Sequence, residues 1–322
     1  MVPSQSGKRP SLEDVFHSTF HTKYSFEEFL NTSTLNETEQ FFVNNREVYK
    51  ASPKLKKLLR FLNSFVFEYA DINSDVVHSY RKGKSTYTAV KYHTNSKYFF
   101  KTDINNFFYS ITRKAVEKVL SENLDSVPVS DIEKYRDHIL EMVTINDHLP
   151  VGLSTSPSIT NTVLFHFDNK LEDYCNSQGI VYTRYSDDII LSCNDQRLLN
   201  KAEAKIEEFL KLYTNLNLSI NQHKTKYYHF GNKVKLLGMV VLPSGELSVD
   251  SSLKKEIEAL FHFYTTDKKK FRDLLNKNFN NSVTKVSGRL NYISTIDRNY
   301  LDKLRKKYGN FTVDHFFSNP ED

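Results

Sequence analysis

The run Val181-Tyr182-Thr183-Arg184-Tyr185-Ser186-Asp187-Asp188-Ile189-Ile190-Leu191-Ser192 constrains this chain more than any other. Residues on both sides of Ser-Asp-Asp are β-branched or aromatic, and the segment is bounded by Gly179 before and Asn194-Asp195 after. That pattern predicts a β-hairpin with the carboxylates at its tip. Two adjacent carboxylates between apolar strands are electrostatically costly unless a cation sits with them. A hard divalent ion such as Mg²⁺, which takes oxygen ligands, removes that cost. A bare Asp-Asp is more often an ordinary polar turn. Here the flanking apolar runs and the rest of the chain outweigh that reading.

The 322 residues suffice for two or three packed subdomains with a substantial core. No apolar run reaches transmembrane length, so no membrane partner is expected. The first ten residues lack an apolar h-region and read as a flexible leader, not a secretory signal. Cys175 and Cys193 have no metal-ligand spacing; ordinary thiols in a reducing cytoplasm are expected. The net charge is +5, and from Ser251 onward 14 Lys and Arg stand against 9 Asp and Glu, so this segment accounts for the whole of it. Such a balance points to a polyanion partner, although a solvated lysine-rich helix face gives the same count. The 19 Tyr and 24 Phe serve a core or base stacking equally well.

In chain order, Ser25 to Glu28 and Thr34 to Glu37 both have capping-box form and predict short helices. Arg46 to Pro53 reads as a strand-like piece ending at the proline, and an amphipathic helix follows from Lys54 to Phe67. The basic loop Arg81-Lys82-Gly83-Lys84 is a candidate phosphate contact. Lys97 to Ile104 reads as a buried strand ending in Asp103, with a turn over 105–111 and a helix from about Thr112 to Leu124. Ser156 as N-cap with Pro157 at the first helical position predicts a helix running to about Tyr174. After the Asp-Asp hairpin come a helix over 198–213 and a half-buried strand over Leu216 to Asn221 that delivers Lys224 and Lys226. A second hairpin, 235–242 with 245–249, and a helical C-terminus from Ser252 complete the chain.

If the Asp103 strand neighbours the hairpin, three carboxylates converge and can hold two divalent ions. Such a pair, about 3.5–4 Å apart, activates an attacking hydroxyl and stabilises the leaving oxygen of a phosphoryl displacement. That chemistry is nucleotidyl transfer or phosphodiester hydrolysis.

In this order, Lys101-Thr102-Asp103-Ile104-Asn105-Asn106-Phe107-Phe108-Tyr109-Ser110, Leu149 to Pro157, Tyr185-Ser186-Asp187-Asp188, Lys224-Thr225-Lys226 and Leu237-Gly238 resemble the palm motifs of reverse transcriptases. The likeness is nearest to bacterial retron-type enzymes, themselves similar to group II intron reverse transcriptases, and runs from about Arg46 to Gly309. Val286 to Ile293 and Lys306-Lys307-Tyr308-Gly309 resemble the retron thumb. The resemblance implies an α+β right-hand polymerase fold: fingers in residues 1–95, a palm in 96–248 with a finger insertion at about 112–150, and a helical thumb in 249–322.

Carried over residue by residue, it assigns Asp103, Asp187 and Asp188 to catalysis and metal binding, with two Mg²⁺ ions and Mn²⁺ as a substitute. Phe108 takes the place of the aromatic residue under the sugar that excludes a 2′-hydroxyl. As a core phenylalanine Phe107 fits better, because side chains alternate along an extended segment. Val151, Gly152, Ser156 and Pro157 fall in the loop that contacts template and nucleotide. Lys224 or Lys226 matches the lysine near the triphosphate, and Arg46 and Lys50 match finger residues there. Arg81, Lys82, Lys84, Lys268, Lys269, Lys270, Arg289, Lys303, Arg305, Lys306 and Lys307 are the expected nucleic-acid contacts.

The sequence departs from the family pattern in three places. Val151 stands where the family has glutamine; Ala89-Val90-Lys91-Tyr92-His93 keeps only the histidine of Asn-Ala-x-x-His; Leu236-Leu237-Gly238 keeps only the glycine of Val-Thr-Gly. The implied activity is RNA-directed DNA synthesis from dNTPs in a bacterial cytoplasm. The implied partners are a cognate structured non-coding RNA and its DNA product, in anti-phage defence with a separate effector protein. A non-retron defence-associated reverse transcriptase, a metal-dependent nuclease and a non-catalytic RNA-binding scaffold stay open as alternatives.

Overall fold

The structure, a computed structural model, describes residues 9–231, 233–280 and 282–318; the leader residues 1–8 lie outside them. The chain divides into two compact units, one of residues 1–85, 100–191 and 195–226, the other of 86–99, 192–194 and 227–322. Secondary structure is mixed, with many helices and short strands.

In the first unit, helices Leu12–Phe20 and Phe26–Leu30 both start in complete capping boxes, at Ser11 and Ser25. Phe16 gathers Phe20, Phe26, Phe29 and Phe61 at centroid distances of 4.7–5.4 Å. This aromatic core fixes the helix Pro53–Phe65, which begins with Ser52 as cap and Pro53 in its first turn.

The second capping-box helix does not form. Thr34 is buried and donates its hydroxyl to the Met142 carbonyl at 2.8 Å, so it caps nothing. The Glu37 carboxylate instead accepts from the Ser52 hydroxyl. Strand β1 (Thr38–Val43) follows and pairs antiparallel with β2 (Arg46–Ala51). Asn44 and Asn45, at φ 49° and 61°, make the two-residue turn, the conformation such hairpins require.

Strand β3 (Tyr98–Asp103) carries the first carboxylate, and β4 (Val181–Tyr185) and β5 (Asp188–Cys193) flank the other two. With β6 (Lys226–His229) they form one sheet in the order β4-β5-β3-β6. The Asp103 strand is therefore the neighbour of the Asp188 strand, the condition for convergence. The helix preceding β4 ends at Gly179 in the left-handed conformation (φ 67°), which turns the chain into the strand.

Three further expectations are corrected. The helix begun at Pro157 is two helices, Ser156–Val163 and Phe165–Gln178, because Leu164 sits at φ −95°, ψ 7°; the cap position is Thr155, one residue earlier than expected. The segment 216–221 forms only a bridge, Ile220 to Ile104, and the pairing strand there is β6. In the second unit the predicted hairpin is three strands, β7 (Val234–Leu236), β8 (Met239–Val241) and β9 (Leu247–Val249). Leu237 and Gly238, both at positive φ (46° and 85°), form an extra turn inside the apolar run. Helices Ser251–Thr266, Lys268–Phe279, Val283–Ile296, Arg298–Tyr308 and Asn310–Ser318 complete that unit.

Candidate active site

Asp103 closes β3 and is nearly inaccessible. Its Oδ2 accepts from Lys224 Nζ at 2.5 Å, while its Oδ1 is buried with no hydrogen-bond donor. Asp187 lies in the β4–β5 turn, where its main-chain carbonyl accepts from the Ile104 N–H at 3.0 Å. That bond ties the turn to the end of β3. Burial raises the Asp187 carboxyl above its ordinary pKa; the like charges of Asp188 and Asp103 add to the shift and Lys224 opposes it. Asp188 opens β5, and its Oδ1 lies 2.9 Å from Lys101 Nζ.

Asp103 and the Asp187-Asp188 turn thus lie at neighbouring strands, with one buried carboxylate oxygen that lacks a donor. As the side chains stand, no group of three or more His, Cys, Asp or Glu among the described residues is gathered closely enough to hold a metal ion. Lysines 101 and 224 occupy two of the carboxylates. The donor set is all oxygen, the chemistry that Mg²⁺ or Mn²⁺ takes, and the orphaned Asp103 Oδ1 and the burial-raised Asp187 both fit a cation.

The loop before the helix Ser156–Val163 is built against β2. The Tyr49 N–H donates to the Val151 carbonyl at 2.8 Å, and Gly152 adopts φ +109° with its Cα so close that a Cβ would lie 2.2 Å from the Tyr49 carbonyl oxygen. Only glycine fits there. Gly152→Ala is expected to lower stability by about 1–3 kcal/mol and to raise the KM for nucleotide, because the loop must move off β2. Thermal unfolding and steady-state kinetics check both. Ser156 is fully buried and gives its hydroxyl to the Pro150 carbonyl at 2.7 Å, so it shapes the loop and does not face a nucleic-acid strand; Pro157 is partly exposed.

Phe107 and Phe108 sit in a single helical turn, Phe107–Ser110, and not in an extended segment. Consecutive helical residues also point to different sides, so the outcome is the same: Phe107 is buried and Phe108 partly exposed. Arg46 is exposed at the start of β2, and Lys50, also exposed, pairs with Glu39 at 3.4 Å. Lys226 is exposed on β6. In the basic loop Lys82 is exposed, Arg81 and Lys84 are partly so, and Arg81 Nη1 is a buried donor with no acceptor.

In the second unit, Lys268, Lys269, Lys270, Lys303, Lys306 and Lys307 are exposed, with Lys270 beside Asp267 and Lys307 beside Glu258, both at 3.4 Å. The two arginines differ from expectation. Arg289 donates to Glu256 and stacks on Phe279, and Arg305 donates to Asp314 at 2.8 and 3.0 Å, so both guanidinium groups are engaged inside the unit. His93, the retained histidine, is fully buried and bonded through Nδ1 to Ser192 Oγ at 2.7 Å, a structural role.

Sequence reasoning missed Lys101. It stands two residues before Asp103 on β3, hence on the same face of the strand, which is the signal that would have found it.

Known proteins resemble this chain over most of its length. The family described as reverse transcriptase (RNA-dependent DNA polymerase) matches residues 48–241, more than half of the chain. The chain is 26% identical over 280 residues to the Retron Ec83 reverse transcriptase of Escherichia coli, covering 84% of this chain and 85% of that protein. It is 24% identical to the Retron Ec86 reverse transcriptase of the same organism, covering 82% and 78%, and 22% identical to the Retron Mx162 reverse transcriptase of Myxococcus xanthus, covering 68% and 50%. Among solved structures, telomerase from Candida albicans in complex with a telomeric RNA fragment aligns at TM-score 0.41 and 12% identity, over 83% of this chain and 51% of that one. A foamy viral protease-reverse transcriptase with double-stranded DNA aligns at TM-score 0.42 and 14% identity, over 86% and 43%. The chain thus spans about half the length of these two solved chains. Among the described residues no helix is long and apolar enough to cross a membrane. With the family motifs in order, the carboxylates on neighbouring strands and the match across residues 48–241, the chain belongs to the reverse transcriptases, divalent-metal-dependent RNA-directed DNA polymerases.

Proposed function

We propose that this reverse transcriptase copies a structured non-coding RNA into DNA as a retron-type enzyme, in a bacterial cytoplasm, as part of an anti-phage system with a separate effector protein. The observation that carries the reading is the site itself: Asp103, with a buried oxygen lacking a donor, on the strand beside the Asp187-Asp188 hairpin. The retron part is supported by relatives named as retron reverse transcriptases over 82–84% of the chain.

Asp103, Asp187 and Asp188 would hold two Mg²⁺ ions, with Mn²⁺ as substitute, which supply Lewis-acid stabilisation of the phosphoryl oxygens. Lys224 Nζ, released from Asp103, neutralises pyrophosphate as it leaves. Lys101 holds Asp188. Arg46 and Lys50 meet the triphosphate, Phe108 lies under the sugar, and Val151 and Gly152 place the nucleotide. Residues 1–95 act as fingers, 96–248 as palm and 249–322 as thumb. Arg81, Lys82, Lys84, Pro157 and the lysines at 268–270, 303, 306 and 307 contact phosphates, which gives affinity with little sequence information.

Purification from the host tests this reading. The protein is expected to carry one discrete RNA, joined or base-paired to a short DNA made from it. Deproteinised nucleic acid is run on a denaturing gel with and without RNase and DNase and then sequenced, for the parent and for Asp187→Asn. Discrete RNA in both, with DNase-sensitive product only in the parent, is the expected result. Heterogeneous RNA without DNA in either overturns the retron reading.

A further inference from the structure

A fully buried ion pair ends on the turn that carries Asp187. Arg184, on β4, has no exposed surface and is the largest of the fully buried side chains. A lone charge there is prohibitively costly, and it is balanced. Arg184 Nε and Nη2 donate to the two oxygens of Asp168 at 2.8 and 2.5 Å, and Asp168 is equally buried in the helix Phe165–Gln178. Tyr182 Oη donates to the same carboxylate at 2.7 Å. This arrangement leaves Nη1, which donates to the main-chain carbonyl of Ser186 at 2.9 Å. Asn161 accepts longer bonds of 3.4 Å from Nη1 and Nη2 and donates to the Ser79 carbonyl at 2.9 Å, closing the network.

The bond to Ser186 falls where the backbone needs support. Ser186 stands at φ 58°, a left-handed conformation that costs an L-residue energy and persists only where surroundings hold it. Its carbonyl belongs to the planar peptide that leads into the Asp187 Cα. Holding that carbonyl fixes the orientation of the peptide, and with it the direction in which the Asp187 side chain leaves the turn. The Ile104 N–H holds the next carbonyl, that of Asp187 itself. The turn is pinned at two successive peptides, one from the residue just after β3 and one from the buried guanidinium.

We propose that Arg184, clamped by Asp168, is the positioning residue for Asp187, acting through the Ser186–Asp187 peptide. This rests on Asp187 being part of the reacting site. Asp168 aligns the guanidinium bidentately, and the rigid fork leaves Nη1 aimed at Ser186. A lysine keeps the charge and loses the fork.

A stabilising pair and a positioning pair predict different outcomes when the charges are replaced together. Apolar residues of similar volume often substitute for a buried ion pair without loss of stability. The triple variant Arg184→Met/Asp168→Leu/Tyr182→Phe removes the pair and the hydroxyl that would lose its acceptor. It is expected to unfold somewhat below the parental temperature, because the Ser186 carbonyl loses its donor, and to bind primer–template duplex as the parent does. Its kcat per duplex-bound enzyme should fall about 100-fold, as for a misplacement near 1 Å. KM for dNTP should change little, and the Mg²⁺ concentration for half-maximal rate should rise. A merely structural role would lower the fraction of enzyme that binds duplex and leave kcat per bound enzyme and the metal dependence alone. A folded triple variant with parental kcat and metal dependence overturns the inference. Should the triple variant not bind duplex, Arg184→Lys decides by the same two numbers: an approximately 10-fold lower kcat per bound enzyme is expected, and parental values overturn the inference. Asp187→Asn is assayed alongside. If it stays active, the reading of the site fails; if it is inactive while the triple variant is fully active, only the positioning inference fails.

Discussion

Asp187→Asn is expected to slow nucleotide addition by about 10³-fold or more, in a protein that folds at least as well as the parent. Two observations carry the second half of that expectation. Asp187 has Ile104 holding its main chain, so the turn does not depend on the carboxylate. Burial, followed by the neighbouring carboxylates, raises the Asp187 pKa in the folded state. The sign follows from linkage: a raised folded-state pKa means that the folded protein binds the proton more tightly than the unfolded chain. The favourable contribution is complete below the unfolded pKa and is lost as pH rises through the folded one. In chelator-treated protein, Asp187→Asn removes this loss, so its unfolding temperature relative to the parent should rise from acidic to neutral pH. Asp188→Asn should also abolish synthesis, but it leaves Lys101 without its partner. Its unfolding temperature should therefore not exceed that of the parent. Normal primer extension by folded Asp187→Asn would remove Asp187 from the reaction.

The hairpin was legible because its signal is local: β-branched and aromatic residues flank a polar turn, and a glycine closes the preceding helix. That the Asp103 strand neighbours the Asp188 strand was legible only as a condition, since strand neighbourhood is a long-range fact. The Asn44-Asn45 turn was missed for a physical reason. Phe41, Phe42 and Val43 beside it are 39%, 70% and 47% exposed, so apolarity there does not report burial. Thr34 shows the converse: a capping-box spacing was overridden by a buried carbonyl, Met142, 108 residues away that needed a donor. The Arg184–Asp168 pair was invisible in the same way. A single arginine in a strand pattern reads as a solvated residue until the helix carrying Asp168 is packed behind it.

Phe108→Val is expected to reduce discrimination against ribonucleotides by about 10- to 100-fold, with the efficiency for dNTP changed far less. Phe107 and Phe108 are neighbours in one helical turn, with their rings 5.9 Å apart and steeply inclined at 72°. The turn starts at Asn106 in the left-handed conformation (φ 46°), so the direction of both side chains is set by backbone just after Asp103. Phe107, 3% exposed, is a core residue. Truncating it to alanine should cost about 3–5 kcal/mol of stability and alter selectivity only as a consequence. Phe108 is partly exposed and can give a flat ring to a sugar without unmaking the core. A ring that excludes a 2′-hydroxyl acts by occupying its space, so shortening the side chain to a β-branched stub opens that space. The quantity to measure is the ratio of kcat/KM for dNTP to that for rNTP on one RNA template, since specificity is a difference in transition-state binding. A lowered ratio in Phe108→Val with an unchanged unfolding temperature places the gate at Phe108. An unchanged ratio in a folded, active Phe108→Val enzyme places it elsewhere, and Phe107→Leu, which keeps most of the buried volume, is then the variant that tests the neighbouring ring.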